Sequence, residues 1–314
     1  MTPTPRINGL VAACDQIQRR IAALAQALSP EKQARLTQHI AKLAAQVDEL
    51  CAQHGSNPAN LPTPSRRAYQ WLRFLADEMN LDEHLRTVAM AYEVIRSNPK
   101  FQEQAKLGYT VQFELNHTGH LWQARAVRKV FTLSASEGFC GAPREVLEAI
   151  ALAATSRSAK ARGAVRAYAA GDDFTEIATA LELMTEQGEG AAQGQHYDLD
   201  AVFARVNREH FGGVVSRPRR LIWSNRITTH LMGYYQTRSD TVMLSKTLDD
   251  SRVPHRVLDL VMYHELLHKQ LGVRMSNGRR QIHFPEFRQA ERRFPDFDEV
   301  NALLEEVARG HIFS

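Results

Sequence analysis

Cysteine is scarce in this chain: Cys14, Cys51 and Cys140 stand far apart among 314 residues, with no CxxC pair. Such spacings do not suit a thiolate metal site, and an odd count argues against a disulfide framework. Reduced, partly buried thiols are expected. Long apolar runs are missing too. No segment approaches the roughly 18 uninterrupted apolar residues of a membrane span, so no membrane partner is expected. The first ten residues lack the basic-then-apolar pattern of a secretory leader, and a cytoplasmic location is expected. Charge of one sign is also lacking. The formal net charge is +4, and residues 195–314 hold 18 Lys and Arg against 15 Asp and Glu. That surplus is compatible with nucleic acid as a partner but too small to argue for it. Clusters such as Arg217-Pro218-Arg219-Arg220, Arg279-Arg280 and Arg292-Arg293 read as solvated surface, not as a phosphate track.

What remains is an ordinary globular composition, 44% hydrophobic and 24% charged, in a chain with room for two domains. Residues 13–53 read as a helical hairpin: Ile17, Ile21, Leu24 and Leu28 precede a restart at Ser29-Pro30-Glu31, and Leu36, Ile40, Leu43, Val47 and Leu50 follow it. The eight-residue step from Leu28 to Leu36 breaks the register, favouring two packed helices over one long one. After a Gly-, Asn- and Pro-containing linker over 54–65, one helix is expected around Trp71, Phe74, Leu75 and Met79, another around Leu85, Val88, Tyr92 and Ile95.

Near Gly108 the period becomes two. Tyr109, Val111, Phe113 and Leu115 alternate with polar residues, 116–119 reads as a turn, and a second strand is expected from Trp122 to Leu133. His117 and His120, beside that turn, are expected as exposed loop residues and not as a metal pair. Helices follow over about 142–152, 159–170 and 173–186. Gln187 to Gln195, with three glycines and little apolar content, marks a domain boundary. Beyond it come a helix over Leu199–Phe211, short strands at 221–223, 233–235 and 241–245, and a turn around Ser239-Asp240.

The next stretch specifies chemistry. In His264-Glu265-Leu266-Leu267-His268 two histidines project at i and i+4 from one helix face, so both imidazoles are placed to bind one Zn2+. Glu265 is placed to take a proton from a metal-bound water, which makes it the candidate catalytic residue. Pro254 suits the first turn, Val257, Leu260, Val261, Leu267 and Leu271 supply an apolar face, and Gly272 offers a stop. A buried histidine pair with a buried glutamate is costly unless something pairs them, and a metal does that. A catalytic zinc normally takes three protein ligands. The metzincin layout is excluded, because Leu271 and Arg274 stand where it needs Gly and His. His283, Glu286, Glu291 and His311 remain as third-ligand candidates.

A series of residues then carries a resemblance: Asn207, Phe211-Gly212-Gly213, Trp223-Ser224, Gly233-Tyr234-Tyr235, Leu244 to Leu248, His264 to His268, and His283-Phe284-Pro285-Glu286-Phe287-Arg288. In this order they resemble the SprT-like zinc metallopeptidase domain of the Spartan and YgjP-type proteins, over about residues 197–295. The resemblance implies that His283 is the third metal ligand, beside His264 and His268, and that Phe287 packs under the site. It also implies one catalytic Zn2+ and hydrolysis of peptide bonds in a protein or peptide substrate. No cysteine follows Cys140, so the four-cysteine zinc ribbon of several members is not expected here, and the resemblance only weakly implies a DNA-linked role.

The expected fold class is α+β: a mainly helical N-terminal region, then a small-sheet zincin-type domain with the HExxH helix packed on the sheet. The expected division is a helical region over 1–105, a β-hairpin with helices over 106–190, and the metallopeptidase domain over 196–314. A substrate cleft is expected along an edge strand containing Tyr234 or Thr241, and Tyr234, Tyr235 and Tyr263 are candidates for oxyanion stabilisation. One alternative is a zinc-stabilised adaptor without catalysis, binding a protein partner through the N-terminal helices. Glu265 argues against it, because a structural site has no use for that carboxylate. A DNA-associated protease is a further alternative, which steep salt dependence of DNA binding would reveal.

Overall fold

The computed structural model describes residues 7–185, 191–224, 232–237, 239–276 and 279–310. Part of the glycine-bearing boundary and the ligand candidate His311 lie outside the described residues. The chain divides into two compact units, Met1–Thr185 and Glu186–Ser314, with mixed α and β structure.

In the first unit the expected break separates α1 (Leu10–Ala25) from α2 (Pro30–Gln53), with the Ser29 side chain capping α2, but the two helices touch little and each packs mainly on the helices that follow. Two leucines counted as core face outward. Leu28 sits in the turn, and Leu50 is 41% exposed. The buried stripe of α2 runs Leu36, Ile40, Ala44, Val47 and Cys51, a 3.6-residue period that brings in Cys51 where heptad counting puts Leu50. α3 (Thr63–Leu75) ends before Met79, which instead opens α4 (Glu78–Ser97) and is exposed. Asp77 makes that break by accepting hydrogen bonds from the Met79 and Asn80 N–H groups. A short helix with no strong apolar stripe, α5 (Pro99–Lys106), follows.

β1 (Thr110–Asn116), β2 (Trp122–Val127) and β3 (Val130–Ser136) form one sheet in the order β1-β3-β2. The single strand expected over 122–133 is therefore two. The chain reverses at Arg128 and Lys129, both at positive φ (49° and 63°) without the Asn-Gly that usually signals such a turn. The hairpin joins β2 to β3, while β1 pairs parallel with β3. Helices α6 (Arg144–Thr155), α7 (Ala159–Ala169) and α8 (Asp172–Leu183) complete the unit. His117 is not on an exposed loop: its side chain is 8% exposed, with Nε2 3.1 Å from Gln70 Oε1 and 3.3 Å from Glu182 Oε1.

The second unit runs α9 (Leu199–Phe211), β4 (Arg220–Trp223), β5 (Gly233–Gln236), β6 (Thr241–Leu244), α10 (His255–Leu271), β7 (Arg274–Ser276), β8 (Arg279–Gln281), α11 (Pro285–Glu291) and α12 (Phe297–Ala308). Its sheet has the order β4-β6-β5, with β4 parallel and β5 antiparallel to β6. β6 is buried at every position, as its apolar run requires of a central strand. Thr241 therefore lies in the centre of the sheet, and only Tyr234 of the two expected positions lies on an edge strand.

α10 packs against α9, β5, α11 and α12. It buries Val257, Leu258, Leu260 to Tyr263, Glu265, Leu266 and Leu267, covering more than one face, as befits a helix inside the core. Leu271, in its last turn, is partly exposed. Two polar locks hold the surrounding loops. Asn207 exchanges side-chain hydrogen bonds with the Val215 backbone across the Gly212-Gly213 turn. The Asp249 carboxylate accepts from the backbone N–H groups of Gln195, His196 and Tyr197.

Candidate metal centre

α10 begins after Pro254 and stops at Gly272, whose φ of 64° breaks the helix while its N–H donates to the His268 carbonyl at 3.0 Å. Between these ends His264 and His268 lie one turn apart and meet edge-to-face, their Nε2 atoms separated by 3.0 Å. His283 arrives after the β7–β8 hairpin and places its Nε2 3.2 Å from that of His264. One nitrogen from each ring lies within 4.8 Å of the others, a grouping that no other three His, Cys, Asp or Glu side chains among the described residues match. Tetrahedral zinc with Zn–N bonds of about 2.05 Å needs nitrogens about 3.3 Å apart, so the donor set fits the ion.

Phe287, one turn into α11, is fully buried. Its ring centroid lies 5.2, 4.5 and 4.9 Å from those of His264, His268 and His283. The residue that the resemblance puts under the site therefore touches all three imidazoles.

The other sequence candidates separate cleanly. Glu286 is exposed and pairs with Arg274 at 2.5 Å, away from the histidine cluster. Arg274 also lies over the Phe284 ring at 4.3 Å, tying the β7–β8 hairpin to the start of α11. Glu291 approaches the cluster from behind, with Oε1 2.6 Å from Nδ1 of His264, not from the side where the Nε2 atoms converge. Burial raises the Glu291 carboxyl, but the His264 hydrogen bond and the charges of His264, His283 and Arg288 outweigh it and hold the group below its ordinary range.

Two of the three tyrosines have their hydroxyls engaged elsewhere. Tyr263 donates to the Ala290 carbonyl at 2.7 Å. Tyr235 donates to Asp240 Oδ1 at 3.0 Å, and burial followed by that bond pushes its hydroxyl up to about 12. Tyr234 lies on the sheet face opposite Gly233 and Tyr235, because side chains alternate along a strand.

Glu265 is 4% exposed. Burial, the largest influence, pushes its carboxyl up to about 7 against the lowering effects of His264 and a hydrogen bond from the Tyr235 backbone N–H. β5 crosses directly over this carboxylate at Gly233. A Cβ there would overlap Glu265 Oε1 and stand 2.7 Å from Val261 Cγ1.

Sequence reasoning missed Gly233 in this role and missed Lys269 altogether. Lys269, next to His268, pairs with Asp240 at 2.5 Å and so fastens the β5–β6 turn to α10. A lysine beside a metal-ligand motif carries no such signal by itself. The Ser239-Asp240 turn gave the position of Asp240 but not its partner.

Residues 199–303 match the model of the SprT-like family. No curated protein and no solved structure matches the chain.

Proposed function

We propose that the SprT-like domain over residues 199–303 is a zinc-dependent endopeptidase. The observation that carries this reading is the convergence of His264, His268 and His283 through Nε2 beside a buried Glu265 on the same helix. When bound by these three nitrogens, Zn2+ would activate a water and polarise the scissile carbonyl.

The chain's own groups do the remaining work. Glu265 accepts the proton of the attacking water and delivers it to the leaving amine. Its low-dielectric setting raises its basicity, while the Tyr235 N–H holds the carboxylate against the strand. Phe287 keeps the three imidazoles packed from below. β5 is an edge strand beside Glu265, so an extended peptide would bind alongside it through backbone hydrogen bonds, with loose sequence selectivity.

The test is cleavage of an unfolded protein by the full chain before and after stripping with a chelator. Stripping is expected to abolish cleavage, and about one equivalent of Zn2+ per chain should restore it. Cleavage that persists in the verified metal-free protein would contradict the proposal.

A further inference from the structure

α11 presents its site-facing residues at a four-residue spacing. His283 precedes the helix, Phe287 lies on its first turn, and Glu291 closes its last. Phe287 supports all three rings, whereas Glu291 addresses one of them. Its Oε1 lies 2.6 Å from His264 Nδ1, and the two side chains are only 20% and 27% exposed. The neighbouring residues also pair, since Tyr263 donates to the carbonyl of Ala290. Consecutive residues of α10 thus hold consecutive residues of α11.

The chemistry of imidazole gives the Glu291 contact a consequence. A carboxylate accepts but does not donate, so its partner Nδ1 carries the proton. In a neutral ring the lone pair then belongs to Nε2, the atom turned toward the Nε2 atoms of His268 and His283. Because Nδ1 and Nε2 sit on different edges of the ring, Glu291 stands behind the ligand and leaves the converging side open.

We propose that Glu291 is the positioning residue of His264, fixing its tautomer and ring orientation so that Nε2 faces a divalent metal ion. The inference rests on the metal reading of the three histidines. It assigns Glu291 a role distinct from that of a third or fourth ligand, and it gives α11 two duties: packing beneath the triad and orienting one member of it. Nothing comparable reaches His264 from Glu286, whose carboxylate is occupied by Arg274.

The experiment measures Zn2+ affinity of the full chain by competition with a chromophoric chelator at fixed pH, together with the visible spectrum of the Co2+-loaded protein. Glu291→Ala is expected to bind Zn2+ about 10–100-fold more weakly and to shift the Co2+ bands. Glu291→Gln keeps an acceptor oxygen but not the charge, and should fall between Ala and wild type. Tyr263→Phe, which removes the adjacent contact between the same helices, should keep wild-type affinity and bands. Unchanged affinity in Glu291→Ala would overturn the inference while leaving the metal site standing. An equal loss in Tyr263→Phe and Glu291→Ala would also overturn it, because the effect would then come from helix docking. Absence of Zn2+ binding in the wild type would overturn both this inference and the metal reading.

Discussion

Glu265→Gln is expected to keep its zinc and lose about 10²–10⁴-fold in cleavage rate, the range that a positioned general base contributes. The substitution is nearly isosteric in a site that is 4% exposed, and the amide oxygen still offers an acceptor to the Tyr235 N–H. It removes the ability to accept a proton. Burial raises the native carboxyl to about 7, and a zinc ion beside it would favour the charged, proton-accepting form. Turnover of an unfolded protein substrate, measured on samples of matched zinc content, reads the effect. Wild-type turnover in the zinc-loaded variant would remove Glu265 from the mechanism.

Gly233→Ala is expected to be the second most damaging change, although it adds one methyl far from any metal ligand in sequence. The new Cβ would overlap the Glu265 carboxylate and press on Val261 at 2.7 Å. Both neighbours belong to α10, a packed core helix that yields little, so either β5 lifts or Glu265 turns away. Overpacking of this kind costs about 1–3 kcal/mol of stability. Displacing the base by as little as about 1 Å can cost on the order of 10²-fold in rate. Zinc content should be unchanged, because His264, His268 and His283 lie outside the overlap. Thermal unfolding, zinc analysis and kcat on the same preparation separate these effects. Full activity with unaltered stability would show that β5 does not seat the base.

The sequence discloses the parts of this site that are local and periodic. HELLH is legible because two histidines one turn apart share a helix face, and the caps at Pro254 and Gly272 mark that helix. His283 is another matter. Its approach depends on the β7–β8 hairpin, three residues per strand, which has no alternation long enough to read. Only the resemblance singled it out from Glu286 and Glu291. Glu291 stood among the ligand candidates because a carboxylate near the motif is visible in sequence. Which edge of an imidazole it meets is decided by how α11 lies against α10.

The same limit governs the rest of the fold. Lys269 and Asp240 are 29 residues apart, and their contact needs Asp240 in a left-handed turn (φ 47°). Leu28 and Leu50 fit heptad counting, but α2 buries a straight-helix stripe instead. The reversal at Arg128 and Lys129 adopts positive φ without glycine or asparagine, so β2 and β3 merge when read from composition. Strand partners add a further gap, because nothing in the pattern of β1 says that it pairs with β3 and not β2.

The most direct measurement of the central claim is the zinc stoichiometry of the purified chain, determined by plasma mass spectrometry on the wild type and on His283→Ala. About one zinc per chain in the wild type and a large loss in the variant are expected, since His283 supplies one of three converging Nε2 donors. Equal zinc content in the two proteins, or none in the wild type, would contradict a three-histidine metal centre.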